Sequence, residues 1–475
     1  MQTPYGEWRL RQFSESALHE GGEVPPEFLL QTVWQHQRLH RDRLRTLDGR
    51  GVKILHPGFR NRGAGPDFHG AVVQFDNDPP RVGDVELDLR TAGWTAHGHD
   101  RNPSFKNVIL HVVWKAESAA KDVAATLTLE KVLDAPLGEL NLWLGGETAV
   151  LPERFRGRCA EPLQQLPPEQ VAELFRQAAL VRLQGKALWF QARAREAGWE
   201  QALWEGLFRA LGYKQNVWPM QRLAELRSLR TATKGSTASE VILNIQAWLL
   251  GVGGLLPTEL GRSPASDYLR KIWDFWWRER YVFEDLKLPR AAWKFNGLRP
   301  ANHPQRRLAL AAHWLAAGDL PDKLEYWCVR AEPAPAQSLL EILQVERDDF
   351  WSWHWTLRSP RLPRPQPLLG EARTTDLAVN VVLPWLWSRA TEGGNHGLRA
   401  EIERRYLEWP MSEDNAVLKL ARHRLLGGAG RRLFHGAAAE QGLLQIVRDF
   451  CDRTNAVCEG CRFVEWLSAG KEGCP

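Results

Sequence analysis

The sequence predicts an α+β N-terminal domain, made of one helix and a mainly antiparallel sheet, followed by a large all-α region. Three observations lead there. An amphipathic helical stretch precedes about six short strand-like runs before residue 135. A Pro-rich segment then interrupts the chain. Every regular stretch beyond it carries apolar residues at three- and four-residue spacing, the helical period.

At 475 residues the chain exceeds the size at which one core stops growing, so several units are expected. The divisions fall at 1–150 for the α+β domain, 151–168 for a linker, 169–440 for the helical region and 441–475 for a helix with a cysteine cluster. With 44% hydrophobic and 25% charged residues, the composition is that of a globular protein, which excludes a disordered or fibrous chain. No signal-peptide core or membrane-length apolar run is visible, so a cytoplasmic location without a membrane partner is expected. Oligomeric state is not legible.

A net charge of +5 permits a nucleic-acid partner without demanding one. The 23 Trp point two ways, since indole stacks on bases and also fills cores. Trp189, Trp199, Trp204, Trp248, Trp273 and Trp276 sit at helical spacing among Leu and Ala, which favours the core.

The first helix runs from about Pro25 to Leu39, with Phe28, Val33, Trp34 and Leu39 available to one face and proline at its start. Arg38, Arg41, Arg43 and Arg45 follow as a solvated basic end. The strand-like runs are LRTLDG, GVKILHPG, AVVQFD, VGDVELDLR, NVILHVVW and VAATLTLEKVL, divided by Gly and Pro. The segment LPERFRGRCAEPLQQLPP is the linker, and RSPRLPRP, residues 358–365, is a Pro/Arg loop that cannot be regular helix.

Chemistry concentrates between Gly63 and His111. A hairpin centred between Asp78 and Pro79 sets Asp67 opposite Arg90, His69 opposite Asp88 and Ala71 opposite Glu86, leaving Val72, Val85, Leu87 and Leu89 for the apolar side. Asp67, Glu86 and Asp88 then share the polar face. Hard oxygen ligands of this kind suit Mg²⁺ or Mn²⁺ and metal-assisted hydrolysis. His97 and His99 supply imidazoles for acid–base work, while His111, inside a strand, is expected to be a satisfied core histidine.

The motifs GPDF, GDVEL, W-x-x-HGHD, NVILHVV, LGYKQN, LRPANHPQRR and a terminal Cys-x-x-Cys, in that order, resemble a bacterial family known as domain of unknown function 2851. That resemblance implies no activity. Locally, GPDF followed by a strand carrying an acid resembles the PD-(D/E)xK nuclease core, which implies a restriction-endonuclease-like fold and phosphodiester hydrolysis. Pro66 and Asp67 match the PD pair, Glu86 the second acid and Glu27 an outer ligand; Asp88 stands where that pattern has lysine. Trp94-x-x-His97-Gly98-His99 is also similar to very short patch mismatch-repair endonucleases, whose histidines do the proton transfers. A non-catalytic nucleic-acid-binding or assembly protein on a nuclease-like scaffold is the alternative.

Four of six cysteines lie in the last 25 residues, spaced Cys451-x6-Cys458-x2-Cys461-x12-Cys474. Thiolates at Cys-x-x-Cys spacing pre-form half of a tetrahedral site, which implies Zn²⁺ or an iron–sulfur cluster. The first three spacings are similar to those of the iron–sulfur loop in the endonuclease III family of DNA glycosylases.

Overall fold

The structure is a computed structural model. It describes residues 3–6, 25, 27–61, 65–116, 125–134, 137, 157–213, 215–230, 237–257, 266–295, 298–330, 333–411, 416–427, 436–451, 458 and 461–469.

Helix α1, Glu27–Gln35, follows two prolines and buries Leu29, Leu30, Val33 and Trp34. A six-stranded sheet comes next, with β1 Val52–His56, β2 Phe59–Arg60, β3 Phe68–Phe75, β4 Arg81–Arg90, β5 Val108–Lys115 and β6 Thr126–Thr128. The order is β1-β3-β4-β5-β6, with β2 also on β3. The predicted LRTLDG strand is instead a turn with isolated bridges from Arg45 to Gly51 and from Thr46 to Leu127.

The sheet is mixed, which corrects the mainly antiparallel expectation. β1, β2, β3 and β4 pair antiparallel, but β4 with β5 and β5 with β6 are parallel. Residues 91–107 between β4 and β5 hold a helical turn, α2 Gly93–Ala96, and a 3₁₀ turn, Pro103–Phe105. That length lets the chain cross over and return in the same direction, and strand periodicity carries no information about direction.

The hairpin register also differs. Ala71 lies opposite Gly83, Val72 opposite Val82 and Val73 opposite Arg81, three residues away from the expected pairing. Pro79 and Pro80 have no N–H to give a ladder, so pairing resumes only at Arg81, and Asp76 turns the chain with φ of 45°. An odd slip exchanges the faces of a strand. A bulge between Phe68 and Ala71 reverses that exchange for the start of β3, where Phe68 lies opposite Val85 and Asp67 reaches Glu86.

Within the expected linker, α3 Ala160–Gln165 is a short helix with Leu163 buried; residues 151–156 lie outside the described residues. Helix α4, Pro168–Ala197, starts on a proline and stops at Gly198, whose φ is 83°. It is followed by α5 Trp199–Leu211 and α6 Val217–Glu225. Helices then alternate with loops to Ala469. Trp189, Trp204, Trp248 and Trp276 are buried in this region.

One apolar core runs from the sheet into the helices, taking in Trp34, Phe68 and Leu110 together with Leu183, Trp204 and Leu207. Polar ties cross the same junction. Arg41 pairs with Glu225, Arg209 Nη2 lies 3.0 Å from His36 Nδ1, and the Arg38 guanidinium stands 5.9 Å over Trp189. Among the described residues no helix is long and apolar enough to cross a membrane.

Candidate functional site

Strand β4 is buried on both sides for two different reasons. Val85 and Leu87 face the core, while Asp84, Glu86 and Asp88, alternating with them, are 9%, 7% and 2% exposed. Three carboxylates removed from water on one strand require partners.

Asp84 finds them locally, with Oδ1 accepting from Gly70 N at 3.1 Å and lying 3.2 Å from His69 Nδ1. Asp67 and Glu86 interlock. Glu86 Oε2 accepts from Asp67 N at 2.9 Å, and Asp67 Oδ2 accepts from Leu87 N at 3.1 Å. Gln31 on α1 donates to Asp67 Oδ1 at 2.8 Å and to Glu27 Oε1 at 3.3 Å, so the first helix reaches the site. Burial pushes the Asp67 carboxyl up to about 6, with Glu27 adding to the effect. Burial pushes Glu86 up to about 8, reinforced by the charges of Asp67 and Asp88.

Asp88 is held from two sides. His111 Nε2 hydrogen-bonds Asp88 Oδ2 at 2.9 Å inside the sheet, and His97 Nδ1 lies 3.1 Å from Oδ1 at the surface. His111, expected to be a satisfied core histidine, is 0% exposed but partnered to the site. His99 Nε2 lies 3.1 Å from Glu86 Oε1 without aligning for a hydrogen bond, and both of its ring nitrogens are buried with no hydrogen-bond partner. Burial holds the His99 imidazole below its usual range.

The ligand atoms of Asp88, His97 and His99 all fall within 4.8 Å of one another; among the described residues they are the group that does so. Asp67 and Glu86 stand beside this trio. Aromatic rings fix its back wall. Phe105 stacks on His99 with ring centres 4.0 Å apart, and Trp94 packs at 5.4 Å from His99 and 5.2 Å from His111.

Two glycines make the arrangement sterically feasible. Gly98, with φ of 71°, turns the chain between His97 and His99. Gly93 abuts Asp88 so closely that a Cβ on it would lie 2.5 Å from Oδ1. Neither Gly93 nor Gln31 stood out in the sequence, because each acts through a contact distant in sequence and carries no ionisable group.

Of the C-terminal cysteines, Cys451, Cys458 and Cys461 are buried free thiols, and Cys474 lies outside the described residues. Burial raises the thiol pKa of Cys451 and of Cys461 above the ordinary range.

These features define a class of protein: a mixed α/β sheet carrying a buried carboxylate–imidazole cluster and packed on a helical platform. Within that class, a family model for a protein of unknown function (DUF2851) matches residues 27–415, and the chain belongs to that family. No curated protein and no solved structure matches it.

Proposed function

We propose that the chain is a divergent metal-dependent nuclease, hydrolysing nucleic-acid phosphodiesters at the Asp67–Glu86–Asp88 face. The observation that carries this reading is the convergence of Asp88, His97 and His99 within 4.8 Å, next to a carboxylate pair that burial leaves short of charge compensation. His99, with two buried nitrogens lacking partners, fits a ligand role. A mixed imidazole and carboxylate set suits Mn²⁺ better than Mg²⁺, which prefers oxygen throughout.

When bound, the cation would polarise a phosphoryl oxygen and neutralise charge that develops during hydrolysis. The rest falls to the chain. Asp88 orients His97, whose side chain is 57% exposed and so accessible to water or a leaving oxygen as a proton carrier. Burial pushes Asp67 and Glu86 toward their protonated forms, and a divalent cation beside them would favour the charged forms. Helix α1 sets Asp67 through Gln31, in keeping with a restriction-endonuclease-like arrangement of helix, hairpin and following strand.

Cleavage of single-stranded, duplex and branched DNA and of RNA, with Mn²⁺ or Mg²⁺, tests the reading. Divalent-dependent cleavage that D88N lowers on the order of 10²-fold supports it. Absence of cleavage together with absence of Mn²⁺ binding ends it. One observation favours a second reading, a non-catalytic nucleic-acid-binding or assembly protein: Asp88, paired with two histidines, stands where the nuclease pattern has a water-activating lysine. Mn²⁺ binding at Asp88 without cleavage of any substrate selects it.

A further inference from the structure

Cys159 belongs to no motif read from the sequence, yet it joins the C-terminal cysteines in space. Cys159, Cys451, Cys458 and Cys461 are free thiols, 3%, 9%, 6% and 8% exposed, in one satellite core with Tyr5, Phe175, Leu425 and Phe463. Each of Cys159 and Cys451 is close enough to Cys458 and Cys461 for their charges to interact, and Cys159 to Cys451 as well. The four thiols are therefore gathered in one buried cluster.

Three features of the surroundings suit sulfurs held by a metal centre. The Arg424 guanidinium, 2% exposed, donates to Cys458 Sγ at 2.9 Å and so places positive charge beside the sulfurs. The backbone N–H groups of Phe463 and Val464 hydrogen-bond the Cys461 sulfur. Cys458 has φ of 58°, a conformation that ordinary side chains seldom adopt, and its carbonyl accepts from Cys461 N at 3.4 Å. On the other side, Gly157 N donates to Arg424 O at 2.8 Å, which fixes the segment bearing Cys159 against the same arginine.

The spacing bears on the choice of metal. Around zinc, with Zn–S near 2.3 Å and tetrahedral angles, sulfurs stand about 3.8 Å apart. Among the described residues no three of these sulfurs fall within 4.8 Å of one another. Sulfurs that share one buried cluster yet fall outside the spacing of a zinc tetrahedron suit a cluster whose irons stand between them.

We propose that Cys159, Cys451, Cys458 and Cys461 ligate a [4Fe–4S] cluster, with Cys159 as the fourth ligand instead of Cys474. Ligation exchanges four thiol protons for four iron–sulfur bonds and changes no oxidation state of the protein.

The full-length chain, purified without oxygen, is assayed for iron, acid-labile sulfide, zinc and absorbance near 400 nm. About four irons and about four sulfides per chain are expected. C159S should lower bound iron at least about ten-fold, whereas C474S and C328S keep it; Cys328 lies in the main core and serves as the control for replacing a buried thiol. If C159S fails to fold, the other two variants still decide. Six cysteines exist, so full iron in both C474S and C328S leaves Cys159 as the fourth ligand. Iron lost from C474S, iron kept by a folded C159S, or stoichiometric zinc without sulfide overturns the proposal.

Discussion

Gly93 packs its bare backbone against the Asp88 carboxylate, with room for no side chain between them. Asp88 is thereby trapped between a helical turn, His111 and His97. Replacing Gly93 by Ala should push Asp88 off its position, costing about 1–3 kcal/mol in stability. Its effect on Mn²⁺ affinity should exceed ten-fold, read by calorimetric titration of the folded variant. Unchanged affinity in G93A means that the Asp88 position is immaterial to the cation.

His111 acts at one remove. It is completely buried and touches Asp88 through Nε2, so under the proposed reading it would orient a ligand instead of binding one. Outer-shell partners of this kind typically contribute 10–100-fold to metal affinity. H111N should weaken Mn²⁺ binding by about that factor, and a phenylalanine there should do worse, leaving Asp88 without its buried partner. Equal binding by H111N, H111F and the wild type contradicts the orienting role.

Acid sensitivity should arise in β1. His56 is 2% exposed, accepts from Gly58 N through Nδ1 at 3.0 Å and has the rings of Phe59 and Trp218 against it. Burial pushes its pKa down to about 4. A folded pKa below the unfolded value near 6.5 means a contribution fully present above about 6.5 and lost as pH falls through about 4. Urea midpoints should therefore drop across that window, by on the order of 2–3 kcal/mol from this residue. H56N, which keeps an acceptor for Gly58, should flatten the slope. A slope identical to that of the wild type refutes the assignment.

Trp34 joins α1 to the sheet. It is 0% exposed, and its indole donates to Pro57 O at 2.9 Å. W34A should cost about 3–5 kcal/mol, seen as a lower thermal midpoint. Because α1 also carries Gln31 onto Asp67, the variant should lose Mn²⁺ binding as well. Full affinity in a destabilised W34A shows that α1 is dispensable to the site.

Much of this was readable in the residues. Trp34, Val85 and Leu87 follow the periods that burial imposes, so the helix, the strands and the sheet face could be read. Strand direction could not, since it depends on how residues 91–107 cross over. The hairpin register failed at Pro79 and Pro80, and the bulge before Ala71 then brought Asp67 to Glu86 by a route the simple alternation does not contain. Asp67, Glu86, Asp88, His97 and His99 were legible as an unusual density of polar groups. Gln31, Gly93 and Cys159 were not, because what singles them out is a neighbour far away in sequence. Cys159 was further hidden in a turn-rich stretch with the composition of a linker.

The satellite core has a temporal side. Tyr5 donates to Asp449, and Gly157 to Arg424, so its first strands of chain are completed only by its last helices. A growing polypeptide would hold Tyr5 and α3 exposed until residues 424–449 have emerged, and pairing at such separation forms slowly. The order of events follows: the sheet and α4–α6 can settle first, while the cysteine-lined core closes only once the helices near residues 424–449 have been made.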